Sequence, residues 1–255
     1  MATARHALQI ACRFPAQILI LKETTDQFDR SSGEAIAEAL IDARQTTDFA
    51  AYCETVVMAP ATPELSDRFG SHENYSEAYI SGLVDEGLKL YRRFKREDED
   101  LAPDEIAELK ALAVVPAVMS AALQKRTFAM AADIAGRMIR GRAPDGAADP
   151  ASFRDFVDSL AFRYGAMIVG LWIYRRGSPG PYPSNRRDVG ADVMDLKIAA
   201  QASYFDGLLT HEKRLESLFG NGMSLIRALG GYCECGRKGG DGLIELEMPE
   251  ARPAG

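Results

Sequence analysis

Cysteine is scarce in this 255-residue chain, and no apolar run is long. The four cysteines, Cys12, Cys53, Cys233 and Cys235, are too few and too scattered for a disulfide framework, which favours a reducing, cytoplasmic setting. Cys233 and Cys235 form a lone C-x-C with no second Cys/His pair at ligand spacing, so two ordinary thiols are a simpler reading than a zinc site. The longest apolar stretch, Ala166 to Tyr174, is nine residues and ends at Arg175 and Arg176. A membrane span needs roughly 20. That stretch is therefore expected in a protein core, and no membrane association is expected. The N-terminal MATARHALQIACRFPAQ has no sustained apolar run or small-residue cleavage site, which argues against secretion. Excess positive charge is also missing. With 30 basic and 37 acidic residues the net charge is −7, unlike a chain built to coat nucleic acid. Internal repeats and low-complexity tracts are absent too.

What remains is ordinary globular composition, 47% hydrophobic and 26% charged. Ile18 to Leu21 and Thr55 to Met58 are short apolar runs bounded by prolines and threonines, and both read as buried strands. Ser32 through Ala43 has helical spacing, and a helix after Pro63 would carry Glu64 in its first turn. Strand, helix, strand, helix is an α/β opening. From about Glu73 to Arg96, Ile80, Leu83, Val84, Leu88 and Tyr91 recur at helical spacing. Pro103 can start a further helix with Ile106, Leu109 and Leu112 on one face, before Pro116 ends or kinks it. Phe128, Ala131, Ala132, Ala135, Met138 and Ile139 make a third stripe. Ser152 with Asp155 forms a capping box for a helix running to about Tyr174.

The segment Asp192 to Phe219, DVMDLKIAAQASYFDGLLTHEKRLESLF, carries the chemistry. Leu196, Ile198, Ala199, Ala200 and Ala202 predict a tightly packing helix with Asp195 in its first turn. Gly207 to Thr210 then predict a short buried strand with Glu212 just beyond its carboxyl end, where α/β sheets collect functional groups. The plainer alternative is that Asp195 faces the free N–H groups of a helix start, and that Thr210, His211 and Glu212 cap a helix from Lys213 to Phe219. His211 alternates in direction with Glu212 and reads as a surface or core residue.

In order, Asp195, Ile198, Ala199, Ala200, Ala202, Thr210 and Glu212 resemble the D-x-x-I-A-A-x-A, turn, strand, T-x-D segment of PIN-domain nucleases, with Glu at 212 for the usual Asp. The resemblance covers roughly 25 residues. It implies a PIN-like α/β fold, a parallel sheet flanked by helices, in a single domain over residues 1–230. The stretch from about 73 to 142 would be a large helical insertion, and 231–255 a loosely ordered Gly/Pro-rich tail. It further implies a carboxylate cluster of Asp195, Glu212, Glu64 and Glu23, the last with Asp26 as an alternative, with Thr210 supporting it. Oxygen-only clusters suit Mg²⁺ or Mn²⁺ rather than zinc. Such an ion would activate water against a phosphodiester, so the implied activity is a metal-dependent ribonuclease on an RNA substrate. Arg137, Arg140, Arg175, Arg186 and Arg187 are the candidate phosphate contacts, against the bland reading of a solvated surface. Other readings are a PIN-like RNA- or protein-binding module without catalysis, a protein partner or inhibitor, a homodimer, and a helical interaction protein built on the 73–142 stripes.

Overall fold

The computed structural model describes residues 72–114, 118–142, 152–205, 208, 210 and 212–231, and the structural statements below concern these. The chain divides into two compact units, Met1–Gln27 with Ala37–Gly82, and Phe28–Ile36 with Leu83–Gly255. Of the first unit, only the opening of one helix is described.

The described residues form helices and connectors, with no strand among them. The expected parallel sheet is therefore corrected: the described part of this protein is helical. The predicted strands at 18–21 and 55–58 lie outside the described residues. In the third, Leu208 and Thr210 belong to a connector. The physical reason is that two adjacent leucines after a glycine suit a strand and a connector between helices equally well, and periodicity cannot separate them over so short a run.

Helix α1 spans His72–Glu99, α2 Pro103–Val114 and α3 Ala121–Arg142. Pro103 stands at the first position of α2, and Glu105 reaches back to accept the Ala102 N–H at 2.9 Å, which fixes the start. On α3, Phe128, Ala131, Ala132 and Ala135 are buried as their spacing predicts. On α1, Leu83, Val84 and Tyr91 are buried, but Ile80 of the same stripe is exposed. Ser152 caps α4 (Phe153–Asp158) by accepting the Asp155 N–H at 3.1 Å. The single helix expected from here to Tyr174 is broken at Ser159. That residue has ψ of 145° and caps the next helix, α5 (Leu160–Gly177), by accepting the Phe162 N–H at 3.1 Å.

Helix α5 organises the second unit. Its residues Ala161 through Ile173 are all buried, so it is covered around its whole circumference, and apart from Arg163 the stretch is apolar or aromatic, as a helix surrounded by others must be. Helices α2, α3 and α4 pack on it, as do α6 (Arg186–Ala202) and α7 (Lys213–Ala228). The helices expected as an insertion over 73–142 thus include two, α2 and α3, that pack on this central helix together with the supposed functional segment. Two glycines set the spacing. A Cβ at Gly165 would lie 2.6 Å from the Ala131 carbonyl oxygen, and one at Gly170 would lie 2.1 Å from that of Leu218. Only a missing side chain allows α3 and α7 this close.

Two buried polar clusters pin the ends of helices. Arg163, fully buried on α5, bonds Asp158 at 2.9 Å and the Ser203 carbonyl at 2.6 Å, and lies 3.8 Å over the Tyr204 ring. This holds the chain leaving α6. On α7, Asn221 and Ser217 donate to the carbonyls of Leu112 and Ala113 at 3.1 and 3.2 Å. Those are last-turn acceptors of α2, which have no partner within their own helix.

Candidate functional site

Helix α6 begins earlier than its sequence suggests. Asn185 is its cap, accepting the Asp188 N–H at 2.9 Å, so Asp195 lies mid-helix and not in a first turn. Asp192 and Asp195 are three residues apart and share a face. Leu196, Ala199 and Ala200 are buried as expected, whereas Ile198 points out, 43% exposed.

The face carrying the two aspartates meets two arginines. Arg175, near the end of α5, grips Asp192 in a two-pronged contact, Nε to Oδ2 at 2.9 Å and Nη2 to Oδ1 at 2.6 Å. Arg214, in the first turn of α7, places Nη1 3.0 Å from Asp192 Oδ1 and Nη2 2.5 Å from Asp195 Oδ2. Its Nη2 is also 3.4 Å from Glu212 Oε2. Tyr91 of α1 donates its hydroxyl to Asp192 Oδ2. Four helices therefore meet at one carboxylate whose side chain is 2% exposed.

The electrostatics follow from burial and charge count. Burial pushes the Asp195 carboxyl above the usual carboxylate range, aided by Glu212 and Asp192, while Arg214 pulls it down without fully offsetting the rise. Burial also opposes the charge on Arg214, but Asp192, Asp195 and Glu212 outweigh it and hold that guanidinium firmly protonated. Tyr91 is raised well above the ordinary phenol range, first by burial and then by the Asp192 carboxylate. Three acids and two arginines leave the cluster one negative charge in excess.

Of the residues the resemblance implicates, Asp195 and Glu212 come together, both on Arg214. Thr210 accepts the Glu212 N–H at 3.1 Å, and Glu212 is the cap residue of α7, which matches the plainer reading of Thr-His-Glu as a helix start. Glu23, Asp26 and Glu64 lie outside the described residues. Arg175 is engaged with Asp192. Arg137 pairs with Asp133 on its own helix at 3.1 Å. Arg140, Arg186 and Arg187 are exposed, and no described contact joins Arg140 or Arg187 to the cluster. Among the described residues, no group of three or more His, Cys, Asp or Glu is arranged to hold a metal ion. No described helix is long and apolar enough to cross a membrane.

Sequence reasoning missed Asp192, Arg214 and Tyr91. A signal existed for the first two: the D-x-x-D spacing puts both carboxylates on one helix face, and Arg214 is the first arginine after Glu212. Tyr91 lies 101 residues from Asp192, and nothing local announces the contact. No described protein family, curated protein or solved structure matches this chain.

Proposed function

We propose that the described part of the chain is a non-catalytic helical interaction module, in which the D-V-M-D segment and Glu212 tie α6 and α7 into the bundle. The observation that carries this reading is the saturation of Asp192 by Arg175, Arg214 and Tyr91. A carboxylate accepting from two guanidinium groups and a phenol has little acceptor capacity left for a cation. A protein partner is favoured by Val114, the last residue of α2, and Val118, which precedes α3; they are 80% and 93% exposed. Large apolar side chains left in water are the kind of surface that protein contacts cover. The simplest partner is a second copy, read by sedimentation of wild type against Val114→Ser/Val118→Ser.

A second reading, a ribonuclease using Mg²⁺ or Mn²⁺, is supported by the convergence of Asp195 and Glu212. Carboxylates that share one guanidinium are close enough to share a metal ion once Arg214 swings aside. Melting curves with and without Mn²⁺, run beside incubation with single-stranded RNA, separate the two. The module shows neither a metal-induced shift nor cleavage. A ligand at about 100 times its Kd adds about 2.7 kcal/mol, and each kcal/mol moves the midpoint by about 2 to 4 °C in a chain of this size. A shift of that order, abolished together with RNA cleavage in Asp195→Asn and Glu212→Gln, overturns the first reading in favour of the second.

A further inference from the structure

Residues 178–185, SPGPYPSN, connect α5 to α6, and both ends are fixed as helix caps. Ser178 donates its hydroxyl to the Tyr174 carbonyl at 2.7 Å, and Asn185 accepts the Asp188 N–H at 2.9 Å. Between the caps, Pro179, Pro181 and Pro183 restrict the backbone, and Gly180 has φ of 106°, a region that other residues rarely enter. Tyr182 is the side chain that turns inward. Its ring stacks on Tyr91 at 5.4 Å between centroids and lies 5.8 Å from Phe94, and its hydroxyl donates to Asp98 Oδ2 at 2.7 Å. Asp98 Oδ1 accepts the Trp172 indole N–H at 3.0 Å, so one carboxylate joins the loop to the core of α5. Beneath the stacked ring, Tyr91 makes its bond to Asp192.

We propose that 178–185 is a strap and that Tyr182 is the latch deciding whether solvent reaches the Tyr91, Asp192 and Arg175 cluster. A loop fixed at both ends and held in its middle by one tyrosine can open locally without unfolding the helices beneath it. Its three prolines limit the freedom gained on opening, so closure orders few bonds and the latch needs only one stack and one hydrogen bond. The helices on either side of the strap supply Arg175 and Asp192, so its release uncovers that pair first. This holds whether the cluster is architectural or binds a metal ion.

The test uses the full chain with Tyr182→Phe and Tyr182→Ala. Hydroxyl-radical footprinting reads the accessibility of Tyr91, and acrylamide quenching reads Trp172, the chain's single tryptophan. Labelling of a protected side chain tracks the population of the open form. Tyr182→Phe keeps the stack and loses the bond to a charged acceptor, so Tyr91 should label roughly 10- to 100-fold faster. Tyr182→Ala should exceed this and increase Trp172 quenching, while amide exchange in α3 stays at the wild-type level. Wild-type labelling of Tyr91 in Tyr182→Ala overturns the proposal. So does a rise in exchange of equal size in α3, which would make Tyr182 an ordinary contributor to global stability.

Discussion

Arg214 Nη1 lies 3.0 Å from Asp192 Oδ1 while its Nη2 lies 2.5 Å from Asp195 Oδ2, so one guanidinium spans two carboxylates a helical turn apart on α6. The two acids are not equivalent. Asp192 has a second arginine and a tyrosine besides, whereas Asp195 has Arg214 alone among its described hydrogen bonds. Replacing Asp192 by Ala takes from the part-buried Arg175 its carboxylate acceptor and from Arg214 one of the three carboxylates around it. Breaking a buried pair from one side costs about 3 to 5 kcal/mol, and the lower end applies because both arginines retain some access to water. A fall in the melting midpoint of about 6 to 12 °C is expected.

Asp195 should behave in the opposite sense. Its folded-state carboxyl is raised, so the stability it contributes is fully present below its unfolded value and is lost as pH rises through its folded value. At neutral pH the ionised group is therefore a burden on the fold. Asp195→Asn keeps an acceptor for Arg214 and removes that burden. The variant should match wild type at low pH and gain on it as pH rises through the carboxylate range, as read by paired melting curves. An Asn variant less stable than wild type at pH 7 would show that pairing with Arg214 outweighs burial.

Glycine contacts predict a pair of substitutions with opposite signs. A Cβ at Gly170 collides with the Leu218 backbone, and Gly170→Ala should destabilise by at least the 1 to 3 kcal/mol or so typical of overpacking, since a helix backbone has to move. Gly82, inside α1, has nothing within 4 Å of the same position. Gly82→Ala should stabilise by up to about 1 kcal/mol through helix propensity. Chemical denaturation of both variants checks the signs.

The buried Arg163 supplies a further test. Arg163→Met takes from Asp158, 2% exposed, its nearer guanidinium, leaving Arg154 at 3.9 Å, and should cost about 3 kcal/mol, the lower end for breaking a buried pair. Adding Asp158→Asn removes the weakened buried charge and should recover part of the loss. A double variant no better than the single would mean that Arg163 acts mainly by holding Ser203 and Tyr204 in place.

The helices are legible where a cap and a stripe coincide. Pro103 and the pair Ser152 with Asp155 start α2 and α4 where the sequence puts them, and residues 166–173 of the apolar run are core, with Tyr174 part-buried. The expected sheet fails because Leu208 and Leu209 look like the end of a strand, and because an Ile-Ala-Ala helix packs as well on another helix as on a sheet. The start of α6 is masked in the sequence because Asn185, a strong cap, stands at the end of a Pro/Gly segment where a turn is equally compatible with an asparagine. Asp195 and Glu212 are found as a pair. What the sequence hides is the cation between them, since Arg214 satisfies those acids from a neighbouring helix and no spacing rule encodes that approach.

RNA contact is the last expectation to test, and its discriminating residues are Arg140 and Arg187. Both are exposed and distant in sequence from each other, and neither has a described bond to the acidic cluster. Arg175, by contrast, is engaged with Asp192, and its removal would confuse lower affinity with lower stability. If the chain holds RNA, Arg140→Ala and Arg187→Ala should each weaken binding across sequences and reduce the slope of log affinity against log salt by about one for every phosphate no longer neutralised. If the chain is an interaction module for protein, single-stranded RNA should bind only weakly at low salt, because a net charge of −7 repels it, and neither substitution should change the slope. Binding titrations at three salt concentrations, with melting curves as a control for folding, separate these outcomes. An unchanged slope in the double variant removes RNA from the partners of the described surface.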